Sequence, residues 1–262
     1  MEWFLKSVVR VVVCVIIGLE VIGCCFINSL MFHPVCRYGV DCPGYVDIGT
    51  NGTKVAAIVR GPTRGRKAIL YCHGNAEDAT GALGMLEGLA GHGFTVAAVD
   101  YPGYGLSDGS PDEEGCYRVV HRLYDWLVAE RGFRPQDIVV IGFSIGTGPA
   151  VELAASEPVG GLVLQAPYLS APRIVTKVRV LPIDPFPNLK RIGAIRCPLV
   201  VIHGTEDSII PFAHGKRLYE LASEPKRFIA VNGADHNDLI WTLGQEEYER
   251  VVMDMAAGTP KD

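Results

Sequence analysis

The stretch Ile138-Val-Val-Ile-Gly142-Phe-Ser144-Ile-Gly146-Thr-Gly148-Pro-Ala150 joins an apolar, β-branched run directly to a small-residue run that suits a helix. A serine at such a junction occupies a sharp turn, and glycine on both sides leaves room that a side chain would take from the adjoining strand and helix. The hydroxyl is thereby held above the edge of a sheet. In a chain with 30 glycines the pattern G-x-S-x-G arises readily by itself, so its weight comes from the strand before it and the helix after it.

Outward from this point, short β-rich runs alternate with longer helical ones, the rhythm of a doubly wound sheet. The spacing predicts strands at 45–49, 54–60, 67–72, 95–100, 137–141, 161–165, 199–203 and 227–231, and helices at 79–90, 113–131, 145–155, 212–221 and 238–255. The middle strands are apolar throughout, as parallel strands covered on both faces must be. Thr50-Asn-Gly-Thr53 separates the first two with a hairpin signal, so the sheet opens antiparallel and becomes parallel. The fold expected is α/β, a mostly parallel eight-stranded sheet with helices on both faces.

A serine hydroxyl is a poor nucleophile until a base takes its proton, which directs attention to acids and histidines just beyond later strands. The run 199–203 leads into Gly204-Thr-Glu-Asp207, and 227–231 into Asn232-Gly-Ala-Asp-His236. Ser144, Asp207 and His236 therefore stand in the chain order of a hydrolase triad, each past the carboxyl end of its strand, where an open α/β sheet makes its ligand crevice. The assigned roles are nucleophile for Ser144, general base and then acid for His236, and orienting carboxylate for Asp207. The oxyanion donors expected are the backbone amides of Asn75, in the turn His73-Gly-Asn-Ala76, and Ile145. Glu206, Asp235 and Asp238 are nearby carboxylates, with Asp238 read as the start of the last helix. His73 and His203 are read as structural hydrogen bonders, and Tyr101 as a loop residue that could line the pocket.

These motifs, with Asp100-Tyr-Pro-Gly-Tyr-Gly-Leu-Ser107 and Gly233-Ala-Asp-His-Asn237, resemble the α/β-hydrolase family of serine hydrolases over about residues 44–255. Within it, the wording is most similar to single-domain α/β-hydrolase-domain proteins that include eukaryotic protein depalmitoylases and membrane-anchored bacterial relatives. The resemblance implies hydrolysis of acyl esters or thioesters, on a small molecule or an acylated macromolecule, without metal or organic cofactor. It also implies rivals of the same fold: a peptidase or amidase, a lyase or perhydrolase, or a non-catalytic scaffold. Where lipases of this fold insert lids, this chain has only residues 166–198, apolar and proline-rich, so no large lid is expected.

Composition excludes other classes. Lys and Arg number 24 against 29 Asp and Glu, a net charge of −5, with 48% hydrophobic and 20% charged residues. No basic stripe interleaved with aromatics offers itself to a phosphate backbone, so nucleic acid is not an expected partner. His73, His203 and His236 stand singly and no C-x-x-C pair occurs, so no metal site is expected. Cys72 and Cys116 sit in apolar surroundings as small hydrophobes, and Cys36 and Cys42 bracket a short turn that a disulfide could close in an oxidising compartment.

Residues 8–32 are nearly continuously apolar apart from Arg10, Glu20, Asn28 and Ser29. Roughly 22 to 25 helical residues cross a ~30 Å hydrocarbon layer, so this run is long enough to span one. The division expected is residues 1–32 as a hydrophobic anchor or signal segment and 33–262 as the hydrolase domain. Lys6 and Arg10, before and at the start of the run, place the domain on the non-cytoplasmic side by the positive-inside rule. Two rivals remain open: a cleaved signal, in which Val21-Ile-Gly-Cys24 is similar to a lipobox, and a helix packed on its own domain.

Overall fold

The computed structural model describes residues 31–175 and 184–258, together with Lys6, Ser7, Arg10 and Asn28. The anchor expectation for residues 8–32 lies almost entirely outside the described residues, and among those described no helix is long and apolar enough to cross a membrane. The chain divides into a unit of residues 1–33 and a unit of residues 34–262, and the second carries the features below.

Eight strands form one sheet: β1 (Tyr45–Asp47), β2 (Ala56–Arg60), β3 (Ala68–Cys72), β4 (Thr95–Val99), β5 (Ile138–Phe143), β6 (Gly161–Gln165), β7 (Leu199–Gly204) and β8 (Lys226–Val231), in the order β1-β2-β4-β3-β5-β6-β7-β8. The pairs β1/β2 and β2/β4 are antiparallel and the rest parallel, as the hairpin signal and the apolar runs predict. At the hairpin tip Asn51 and Gly52 have φ of 56° and 79°, the two left-handed residues that a tight turn matching the strand twist requires. Every residue of β3 and β4, and of β5 as far as Gly142, is buried, because helices cover both faces; Phe143 at the end of β5 is partly exposed.

The topology places the site. From β3 the chain moves outward to β4, then crosses back to β5 on the other flank of β3, so a crevice opens between the carboxyl ends of β3 and β5. Register aligns Cys72 with Gly142 and Gly142 with Leu164, bringing the residues that follow each strand to one edge.

Helices depart from the expected spans for local reasons. The helix expected at 79–90 begins only at α1 (Leu83–Gly91), because Asp78 Oδ1 accepts the Thr80 N–H and hydroxyl and holds a turn there. Helix α2 (Glu113–Asp125), capped by Asp112 on the Gly115 amide, widens into a π turn over Trp126–Glu130. Helix α3 (Thr147–Ser156) follows one 3₁₀ turn at Ser144–Gly146. Two short helices, α4 (Pro172–Val175) and α5 (Asn188–Arg191), lie between β6 and β7, and α6 (Phe212–Leu221) matches expectation. The last predicted helix is two, α7 (Leu239–Leu243) and α8 (Gln245–Ala256), because Gly244 takes φ of 92° between them. Cys36 and Cys42 are free thiols in this structure, each sulfur facing a nearby carbonyl, Tyr38 O and Pro43 O.

Candidate active site

Ser144 has φ of 52°, a conformation that costs a non-glycine residue on the order of 1–3 kcal/mol. Packing holds it there. A Cβ on Gly142 would lie 2.6 Å from Gly146 O and 2.7 Å from the Ala150 side chain, while one on Gly146 would fall on the carbonyl oxygens of Cys72 and His73. The turn after β5 is therefore in backbone contact with the end of β3, and only glycine permits it. Thr147 Oγ1 donates to Ser144 O at 2.7 Å and the Tyr168 hydroxyl donates to Ile145 O at 3.0 Å, bracing both residues.

The structure brings the three predicted side chains together in line. His236 Nε2 is 2.9 Å from Ser144 Oγ, and its Nδ1 is 2.9 Å from Asp207 Oδ2. Ser144 is 9% exposed and His236 5%, so both side chains are largely withdrawn from bulk water. Asp207 Oδ1 accepts the Ile209 and Ile210 amides at 3.0 and 2.7 Å. Burial works to raise the Asp207 pKa, but hydrogen bonds from His203, His236 and the Ile210 amide outweigh it and hold the carboxyl well below the usual range. The competing acids are elsewhere: Asp235 Oδ1 accepts the Ser208 amide at 2.7 Å, and Asp238 Oδ1 accepts the Asp235 amide at 2.8 Å.

His203 does more than its structural reading foresaw. Its Nε2 is 3.0 Å from Ile210 O and 3.3 Å from Asp207 Oδ2, two acceptors, so Nε2 carries the proton and is shared between them. Nδ1 is buried with no hydrogen-bond partner among the described residues, pressed against the backbone of Gly215. A second imidazole thus stands on the carboxylate that orients His236. The sequence signal was the spacing His203 to Asp207, four residues across the turn.

The turn after β3 carries Asn75, whose side-chain oxygen accepts the Ala76 amide at 3.0 Å and the Tyr104 hydroxyl at 2.7 Å. Glu77 Oε1 accepts the Gly74 amide at 2.5 Å, closing the turn on itself. His73 faces Gly74 O through Nδ1 at 2.8 Å, a structural role as expected, and Tyr101 is 1% exposed with its hydroxyl donated to His73 O, so it braces the turn and does not line a pocket. A strap from the amino-terminal side completes the brace: the Arg37 amide donates to Asp78 Oδ2, its guanidinium to Ala76 O, and the Tyr38 hydroxyl to Asp100 Oδ2. The sequence reading passed over this strap, as it did Phe143, whose ring lies 5.2 Å from that of His236 at an interplanar angle of 30°. Cys72 and Cys116 are no rival nucleophiles, since burial pushes both thiols up.

A family described as alpha/beta hydrolase fold matches residues 67–186. The human protein named alpha/beta hydrolase domain-containing protein 17B is 35% identical over 195 residues, covering 72% of this chain and 67% of its own length. The chain belongs to the alpha/beta hydrolase family. A Caenorhabditis elegans member, alpha/beta hydrolase domain-containing protein aho-3, is 36% identical over 72% of this chain and 58% of its own length, so the chain spans somewhat under two thirds of that relative. Among solved structures, an esterase from Pyrococcus furiosus aligns with a TM-score of 0.70 at 19% identity, over 86% of this chain and 98% of the esterase. A Paleococcus ferrophilus monoacylglycerol lipase aligns with a TM-score of 0.61 at 20% identity, over 78% and 99%. These last two likenesses concern the fold alone.

Proposed function

We propose that this alpha/beta hydrolase is a serine hydrolase that cleaves acyl esters or thioesters through an acyl-enzyme intermediate. The observation that carries the reading is the continuous chain Ser144 Oγ, His236 Nε2, His236 Nδ1, Asp207 Oδ2, with 2.9 Å at both hydrogen bonds. His236 Nε2 removes the Ser144 proton as Oγ attacks the carbonyl carbon. The backbone amides of Ile145 and Asn75 receive the developing oxyanion, where each such donor is worth about 3 to 4 kcal/mol. Collapse expels the alcohol or thiol, which takes the proton from His236, and leaves Ser144 acylated. Water, deprotonated by the same imidazole, then attacks the ester and releases the acid. Asp207 stays ionised and holds His236 in the tautomer with Nδ1–H.

We further propose that residues 1–32 attach the protein to a membrane, with the domain on the non-cytoplasmic side. The apolar run and the Lys6/Arg10 flank support this. Full-length protein recovered entirely in a salt-washed soluble fraction would end the membrane reading, and domain protected from added protease in intact cells would reverse the orientation.

The test of the catalytic reading is labelling of wild type and Ser144→Ala with a fluorophosphonate, read by intact mass, alongside hydrolysis of a p-nitrophenyl ester. Wild type should gain one adduct and turn over the ester, and the variant should do neither while melting at a similar temperature. A folded wild type that neither labels nor turns over would leave the scaffold reading as the one to pursue.

A further inference from the structure

A short cleft opens beside the triad, and nothing so far assigns it an occupant. Its volume is about 170 Å³. One wall is Gly81, Ala82 and Met85, from the turn before α1 and its first residues; the other is Leu239, Ile240 and Trp241 of α7. Phe143 and His236 stand at its catalytic end. The walls are hydrocarbon, but the inner surface is not. Tyr71 lines it at 2% exposure, and no hydrogen bond to its hydroxyl occurs among the described residues. Gln165, whose amide donates to the Tyr248 hydroxyl at 2.7 Å, lines it too. Glu77 brings a carboxylate to the same surface, one oxygen on the Gly74 amide and the side chain lying over Gly81.

We propose that this cleft is the acyl subsite, and that it selects uncharged acyl groups of about six carbons while letting longer ones pass out over Trp241. The inference rests on the serine-hydrolase reading above. The apolar walls begin at His236, so a carbonyl carbon at Ser144 Oγ sends its chain directly between them. A water-sized group fills roughly 30 Å³ of liquid volume, so 170 Å³ holds roughly six methylene-sized groups. The cleft is too small to take in a long chain whole. Its outer rim is Trp241, 89% exposed, an indole that a chain leaving the cleft would cover. Glu77 is the one carboxylate among the lining residues, and no lysine or arginine accompanies it, so an acyl group ending in its own carboxylate meets like charge in a confined space.

The test uses full-length protein and a series of p-nitrophenyl esters from two to fourteen carbons. kcat/KM should rise roughly fourfold per methylene to about six carbons, the factor that burial of one CH₂ confers, and beyond that gain no more than about fivefold in total from contact with Trp241. Ala82→Phe, which fills the cleft, should move the break to shorter chains, and Met85→Ala should move it to longer ones. Trp241→Ala should lower rates by about fivefold for chains beyond eight carbons and leave the break where it is. Wild type should disfavour a six-carbon ester bearing a terminal carboxylate by about tenfold against its neutral counterpart, and Glu77→Gln, which keeps an oxygen for the Gly74 amide, should narrow that ratio. Melting curves and labelling by diisopropyl fluorophosphate are run on every variant. If Ser144 labels and the break does not move in either Met85→Ala or a folded Ala82→Phe, the cleft is not the acyl subsite, although the hydrolase reading stands. The same conclusion follows if the variants instead change preference for the alcohol at a constant acyl group. Failure of wild type to label would remove the reading beneath the proposal.

Discussion

Asp207→Asn tests whether the carboxylate sets the tautomer of His236, and the surroundings of Asp207 say how the substitution must settle. Oδ1 accepts two backbone amides, at 3.0 and 2.7 Å, so the carbamoyl oxygen of an asparagine takes that position. Its NH₂ group then occupies the place of Oδ2, facing His236 Nδ1 and His203 Nε2. A donor in that place requires a bare Nδ1 on His236, which moves the proton to Nε2, 2.9 Å from Ser144 Oγ. An imidazole already protonated there cannot take the serine proton. Loss of the base should lower kcat by on the order of 10⁴, about 5 kcal/mol at 1.36 kcal/mol per decade. Stability should change far less, since His203 keeps Ile210 O and loses only its longer contact. A cost of about 1 kcal/mol corresponds to roughly 2–4 °C in a domain of this size. The assays are steady-state ester hydrolysis, the rate of fluorophosphonate labelling and a thermal melt. A folded variant with less than a tenfold loss in kcat would refute the tautomer argument.

Asp100 supplies a stability prediction with a definite sign. Burial, with the nearby Asp78 charge adding to it, raises its pKa from 3.8 to about 6. The folded state therefore binds this proton more tightly, and the favourable contribution is complete below pH 3.8 and lost as pH rises through about 6. Asp100→Asn should gain about 3 kcal/mol relative to wild type between pH 4 and pH 7, and melting temperatures that run parallel across that range would contradict it. Two glycine substitutions should move stability in opposite directions. Gly146→Ala drives a Cβ into the carbonyl oxygens of Cys72 and His73 and should cost about 3 kcal/mol or prevent folding, whereas a native-like melt would mean the β3–β5 contact yields. At Gly84, in the first turn of α1, a Cβ meets nothing within 4 Å, so Gly84→Ala should stabilise by about 0.5–1 kcal/mol, and denaturant midpoints decide it.

How much was legible beforehand depends on the range of the interaction concerned. Ser144 was readable because the elbow is made by residues two apart: the steric demand that makes 142 and 146 glycine is written next to the serine. Asp207 and His236 were readable because each follows an apolar strand, and parallel strands deliver their carboxyl ends to one edge. The Asn51-Gly52 turn was equally local, since its two left-handed residues need no partner elsewhere. Helix ends were less legible, because nothing in composition distinguishes Gly244, which breaks a helix at φ of 92°, from Gly84, which sits inside one. The pairings across long separations were not legible at all. Phe143 against His236, Arg37 on Ala76, and the facing of Ala82 and Met85 by Ile240 and Trp241 all require the sheet order and the crossing from β4 back to β5, whereas His203 on Asp207 spans only four residues and its spacing was visible in the sequence.

The sequence by itself therefore determined the fold class and the candidate triad Ser144, His236 and Asp207, because those depend on local backbone sterics and on periodic burial. Only the tertiary structure decided what braces the turn after β3, and how short and how acidic the cleft beside Ser144 is. Those properties are distances between side chains brought together from well-separated parts of the chain, and residue order carries no record of such distances until the sheet has set them.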